Sequence, residues 1–180
     1  MQKFSRWIFK IMGWKAVVTV TEPAKSVICV APHTSNWDFI IGRLFMFSAG
    51  LKPKLLMKKE LFFFPLGWFL RKVGGIPVDR KQKNDIIDRM VYEFEHADNL
   101  VLVITPEGTR KKVSDWKKGF YYIAASAHVP VVPGYFDYKK KTIGIGEPFF
   151  VSENIESDIN RIKEFVKDVT PKYPHLFTLD

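Results

Sequence analysis

Ser26-Val27-Ile28-Cys29-Val30-Ala31-Pro32-His33-Thr34-Ser35-Asn36-Trp37-Asp38 joins a run of small and β-branched residues to a short polar turn. The first six have the composition of a strand buried on both faces. The turn follows at once, and Asp38 to Phe47 then has the length and composition of a helix. Strand, polar turn and helix form the unit of layered α/β domains. The turn at the strand's carboxyl end is where such sheets place ligands.

The same alternation extends along the chain. Lys54 to Met57 reads as a short strand, and Asn84 to His96 as an amphipathic helix with Ile86, Ile87, Met90, Val91 and Phe94 on one face. Leu100 to Thr105 is a second buried-type strand. Lys117 to Ala127 is a helix, Val129 to Tyr135 and Thr142 to Ile145 are strands, and Glu156 to Val169 is a closing helix. Pro130 and Pro133 suit an edge or bulged strand. No repeat or linker interrupts the pattern, so residues 1–180 are expected to form a single α/β domain.

Lys and Arg number 28 against 19 Asp and Glu, a net charge of +9. That excess calls for nucleic acid, an anionic membrane or an anionic substrate. Residues 1–60 hold 10 basic and 3 acidic side chains, so the excess is N-terminal. Aromatic residues reach 15%, with 16 Phe and 5 Trp, which favours apolar or interfacial contacts over a nucleic-acid module. The single cysteine, Cys29, excludes an intramolecular disulfide framework and a multi-cysteine zinc site. Neither a secretory leader nor a transmembrane helix is expected. The longest uncharged stretch, Gly119 to Phe136, is broken by Pro130 and Pro133.

Two apolar segments stand apart. In residues 1–16, Phe4, Trp7, Ile8, Ile11 and Met12 fall on one helical stripe, with Lys3, Arg6 and Lys10 off it. This is either an amphipathic interfacial anchor or a helix that packs on the domain. Leu61 to Leu70 is too short to span a bilayer, and is either core or a surface that meets lipid or an acyl chain.

Four polar blocks carry candidate chemistry. His33 lies in the turn and Asp38 in the first helical turn, giving a base and a carboxylate that orients it. Thr34, Ser35 or Asn36 caps that helix. Gly74-Gly75-Ile76-Pro77-Val78-Asp79-Arg80 joins paired glycines to a short β-type run and an Asp-Arg end. Thr105-Pro106-Glu107-Gly108-Thr109-Arg110 places a carboxylate, a glycine turn, a hydroxyl and an arginine at a strand's carboxyl end. Arg110 there suits a phosphate or carboxylate. Val129 to Gly134 is the fourth. A G-x-S-x-G elbow is absent and Cys29 lies mid-strand, so no covalent nucleophile is evident. A His–Asp pair without one suits direct transfer to a hydroxyl.

Together, in this order and spacing, the blocks resemble the glycerolipid acyltransferase family, best known for 1-acylglycerol-3-phosphate acyltransferases. The His33-x-x-x-x-Asp38 spacing matches its HxxxxD motif. Gly75 to Arg80, Pro106 to Arg110 and Val129 to Pro133 match its other blocks, within a motif-bearing core at residues 25–150. Pro32 and Lys111 depart from its usual Asn and Ser. The resemblance implies a mixed, mostly parallel sheet flanked by helices. It implies His33 as general base and Asp38 as its orienter, with Arg80, Glu107, Gly108, Thr109 and Arg110 binding the acceptor. The co-substrate would be acyl-CoA or acyl-carrier protein, with no metal or bound cofactor. The acceptor would be a lyso-lipid, most simply 1-acylglycerol-3-phosphate, or else a lyso-lipid without phosphate. The protein would sit peripherally on an anionic membrane at its cytoplasmic face. The rival from another class is a non-catalytic basic membrane- or nucleic-acid-binding module.

Overall fold

The computed structural model describes residues 2–18, 23–79 and 83–179. Among them seven strands form one sheet in the order β1-β7-β6-β2-β5-β3-β4. The strands are β1 (Lys15–Val18), β2 (Lys25–Val30), β3 (Lys54–Lys58), β4 (Gly75–Val78), β5 (Leu100–Ile104), β6 (Val131–Asp137) and β7 (Thr142–Ile145). The helices are α1 (Gln2–Ile11), α2 (Asn36–Ala49), α3 (Leu66–Lys72), α4 (Lys83–His96), α5 (Gly119–Ser126) and α6 (Ile155–Val166). β6, β2, β5, β3 and β4 run parallel, while β7 pairs antiparallel with β6 and parallel with β1. The sheet is therefore mixed and mostly parallel, as the family resemblance implied.

β2 explains the layering. Val27, Cys29 and Ala31 face a core shared with Met90 and Phe94 of α4, Phe120 and Ile123 of α5 and Ile162 of α6. Ile28 and Val30 face the other side, against Ile41, Phe45 and Met46 of α2 and Phe9 of α1. A central parallel strand with both faces covered has no polar side, which is why Val27 to Val30 is an unbroken apolar run. Because β2, β5 and β6 are parallel, their carboxyl ends share one edge of the sheet. That edge carries His33, Glu107 and Tyr138.

Several expectations are corrected. β6 is interior, between β7 and β2, so the edge alternative for its prolines fails, while the register between Val131↔Phe149 and Gly134↔Ile145 slips by one residue, as a bulge would have it. Pro133 is tolerated because it precedes the β6–β7 ladder, which begins at Gly134, so its missing N–H leaves no rung unmade. Its carbonyl accepts from Gly146 N at 2.8 Å. The short β-type run expected after Gly74 is β4, whereas the short strand β1 has no counterpart in the sequence reading. In α1, Ser5 and Phe9 face inward, and Arg6 Nε donates to the Ser48 carbonyl at 3.0 Å. Most of the apolar stripe does not pack: Phe4, Trp7 and Ile11 are 63%, 59% and 64% exposed. The run from Leu61 to Leu70 is largely surface, with only Gly67 and Leu70 buried. Among the described residues no helix is long and apolar enough to cross a membrane.

Candidate active site

The turn between β2 and α2 is shaped by the helix cap. Ser35 is the N-cap, and its hydroxyl accepts from Trp37 N at 3.1 Å. Asp38, the third helical residue, closes a capping box by accepting from Ser35 N at 3.0 Å. The same Oδ2 accepts from Thr34 N at 3.1 Å and from the His33 ring at Nδ1, 3.0 Å away. Oδ1 accepts from the Tyr138 hydroxyl at 2.5 Å. Four donors thus converge on a carboxylate that is only 2% exposed. A carboxylate only accepts, so Nδ1 of His33 carries the ring proton of the neutral imidazole and Nε2 keeps a lone pair. The His33 side chain is 22% exposed and lines a cavity, the disposition that a base acting on a bound molecule needs.

Glu107 enters from the end of β5, the strand beside β2. Its Oε1 accepts from the His33 backbone N–H at 2.9 Å, so the carboxyl fixes the main chain that Asp38 does not reach. It is 5% exposed, and Oε2 has no hydrogen-bond partner. Burial, with a smaller push from Asp38, raises its pKa to about 7 against the opposing effect of the His33 N–H. Gly108 follows at φ +63°, a conformation that suits glycine. A Cβ there would also lie 2.6 Å from the Lys117 side chain. Lys117 N braces the loop by donating to the Pro106 carbonyl at 2.7 Å.

His33, Asp38 and Glu107 are therefore brought together. Thr109 is half-buried and Arg110 exposed on the same loop, and neither lines the cavity. Arg80 lies outside the described residues. Tyr138 escaped the sequence reading, since it follows β6 a hundred residues beyond Asp38. Burial and its bond to Asp38 hold its phenol well above the usual range, so it remains a donor. Trp14 meets its ring edge-on, centroids 5.1 Å apart. Thr34 was foreseen only as a possible cap. Its hydroxyl instead accepts from Tyr173 N at 3.2 Å, tying the C-terminal segment to the turn. The Cys29 thiol is wholly buried and pushed up by that burial, which disfavours the thiolate a nucleophile needs.

The cavity runs from His33, Asp38 and Thr105 between α2 and the sheet, enclosing about 890 Å³ with its open mouth included. Phe39, Phe45 and Met46 of α2 and Leu55, Met57 and Val103 of the sheet make it apolar. No residue of Leu61 to Leu70 lines it, contrary to one expectation for that run. Arg43 lines its side near Pro53, with Nη1 3.4 Å from the Pro53 carbonyl and the guanidinium 4.4 Å from the Phe47 ring centroid. Among the described residues no group of three or more His, Cys, Asp or Glu is placed to hold a metal. The arrangement provides an imidazole, a carboxylate braced behind it, and an apolar trough in front.

Comparison with known proteins bears on this geometry. Residues 16–137 match the family model described as Acyltransferase. An uncharacterised acyltransferase of Schizosaccharomyces pombe is 30% identical over 118 residues, covering 61% of this chain and 41% of that protein. A chloroplastic 1-acyl-sn-glycerol-3-phosphate acyltransferase of Brassica napus is 31% identical over 116 residues, covering 62% of this chain and 33% of its own length. The chain spans from 33% to 55% of the length of the first curated relatives it matches. The crystal structure of the 1-acyl-sn-glycerophosphate acyltransferase PlsC from Thermotoga maritima superposes with a TM-score of 0.60 at 22% identity, over 95% of this chain and 80% of that one. At that identity the likeness is one of fold.

Two outcomes follow for stability. The Glu107 carboxyl titrates at about 7 when folded, against its ordinary 4.5, so the folded chain holds that proton more tightly. Its stabilising contribution is complete below about pH 4.5, is lost as pH rises through about 7, and is flat above. Denaturation midpoints across this range should show wild type losing on the order of 3 kcal/mol relative to Glu107→Gln. Equal slopes for the two proteins would contradict the assignment. Tyr138→Phe keeps the ring against Trp14 and removes one donor from Asp38. Urea unfolding should show a loss of about 1.5–3 kcal/mol, and an unchanged midpoint would mean the bond does not form.

Proposed function

The chain belongs to the acyltransferase family, and from that premise we propose that it moves a fatty acyl group from a thioester to the hydroxyl of a lyso-lipid. The donor is acyl-CoA or acyl-carrier protein. The acceptor we favour is 1-acylglycerol-3-phosphate, which yields phosphatidate in phospholipid biosynthesis. Relatives named for 1-acyl-sn-glycerol-3-phosphate support that acceptor. The observation that carries the proposal is the His33–Asp38 pair, 3.0 Å apart, at the polar end of an apolar cavity.

The chemistry follows from the geometry. Nε2 of His33 takes the proton of the acceptor hydroxyl as its oxygen attacks the thioester carbonyl. Asp38 stabilises the imidazolium that forms and holds the ring in the productive tautomer. The tetrahedral intermediate collapses, the carbon–sulfur bond breaks, and the leaving sulfur takes the proton back from Nε2. The products are an ester and a free thiol, with no group left on the protein. The apolar trough beside His33 accommodates an acyl chain, and Glu107 keeps the His33 main chain in place. Arg110, exposed at the end of the PEGTR block, binds the acceptor phosphate in this proposal, with Arg80 as its partner there. No metal or bound cofactor takes part.

Attachment to the membrane fits such substrates. We place α1 on an anionic cytoplasmic leaflet as a peripheral anchor. Phe4, Trp7 and Ile11 project from it, with Lys3, Arg6 and Lys10 also exposed.

A thiol-release assay with acyl-CoA and a panel of lyso-lipids tests the proposal. His33→Ala should lower turnover by about 10²–10⁴-fold with the fold intact by circular dichroism. Arg110→Ala should raise KM for lysophosphatidate by about tenfold or more and leave acceptors without phosphate nearly unaffected. Undiminished transfer by His33→Ala contradicts the mechanism. Equal loss on all acceptors contradicts the role given to Arg110.

A further inference from the structure

The segment from Leu61 to Lys72 remains without a role in the cavity. Leu61, Phe63, Phe64, Trp68 and Phe69 are 43%, 60%, 89%, 59% and 51% exposed, five large apolar side chains within nine residues. So dense an apolar surface marks a contact with a protein or a membrane. The segment is built to hold those side chains outward. Gly67 lies against the Phe62 backbone so closely that a Cβ would meet Phe62 atoms at 2.5 Å, which pins α3 to the turn before it. Gly67 and Leu70 are the buried face of α3, and Trp68 and Phe69 its outer one.

Its charges identify the occupant. Lys72 Nζ rests 3.8 Å from the Trp68 ring centroid, and the Arg71 guanidinium 5.2 Å from that of Phe62. Neither cation pairs with an acid among the described residues, whereas Lys58 pairs with Glu60 and Lys59 with Asp79. Aromatic side chains flanked by free cations are what the boundary between anionic headgroups and acyl chains accommodates. An acidic protein would engage Arg71 and Lys72 but has no evident use for the exposure of Phe64. Position agrees. Met57 of β3 lines the cavity, and β3 runs directly into this segment at the sheet edge that carries His33.

We propose that Leu61–Lys72 is a second membrane-contact element, inserting its aromatic side chains into an anionic bilayer beside the mouth of the catalytic cavity. It rests on the membrane attachment proposed above and adds a contact point independent of α1. Two points of contact fix the orientation of the cavity to the bilayer, which one helix alone does not.

The test uses the full chain carrying Phe64→Cys, Ile11→Cys or Glu147→Cys, each labelled with an environment-sensitive dye. Cys29 is wholly buried and so does not compete for the label. With vesicles of phosphatidylcholine and 30 mol% phosphatidylglycerol (roughly the anionic content that attracts basic segments), emission should shift to the blue at positions 64 and 11 but not at 147. A shift at 11 with a water-like signal at 64 overturns this inference and leaves α1 as the anchor. No shift at either overturns the attachment itself. A shift at 64 with acyl-carrier protein and none with vesicles assigns the patch to a protein instead. Phe64→Glu should weaken vesicle partitioning about tenfold, with turnover of a water-soluble short-chain thioester unchanged. Undiminished partitioning counts against the proposal.

Discussion

One carboxylate organises the polar end of the cavity. Asp38 is the capping residue that starts α2 and also the group that orients His33. These are one geometric fact, because an N3 carboxylate reaching back to the cap also reaches the residues just before it. The helix N-terminus favours the negative charge, and three main-chain and side-chain donors from residues 33–35 share Oδ2. The spacing between His33 and Asp38 is thus the spacing that a capped helix after a tight turn provides. Removing the acid would loosen the helix start and release the imidazole together.

The sheet supplies the rest by bringing distant strands to one edge. β5 delivers Glu107 to the His33 N–H, and β6 delivers Tyr138 to the far oxygen of Asp38. The dyad is held from three strands, each anchored in a core that excludes water on both faces of β2. Such bracing is what an oriented base requires, since a ring free to rotate spends little time aligned with the hydroxyl it must deprotonate. Glu107 is the costly member, a buried acid with one oxygen unpartnered. Its burial is tolerated because near neutrality it carries a proton part of the time.

Much of this was legible in the sequence, for identifiable reasons. Interior parallel strands carry nearly continuous apolar runs, so β2 and β5 are visible within a few residues of their true ends. β4 shows only as a short β-type run after paired glycines, and β1 not at all, because four residues at a sheet margin carry no period. His33 and Asp38 are five residues apart and stand out locally. The Tyr138 contact has no local trace and becomes evident only once β6 is seen next to β2. An all-apolar run such as Leu61 to Leu70 has no polar face to mark which side is buried. The fit of Gly67 against Phe62 settles its orientation, and that fit is a tertiary fact.

The claim that Asp38 makes His33 a base, beyond capping α2, is tested most directly by Asp38→Asn. Asparagine is nearly isosteric with aspartate, so far-UV circular dichroism should still report a folded protein, with a thermal midpoint lowered by the loss of the charge-assisted bonds that Asp38 makes. Acyl transfer to lysophosphatidate should nevertheless fall by about 10³–10⁴-fold, because the amide neither fixes the tautomer nor stabilises the imidazolium. Retention of near wild-type kcat in a well-folded Asp38→Asn protein would contradict the account.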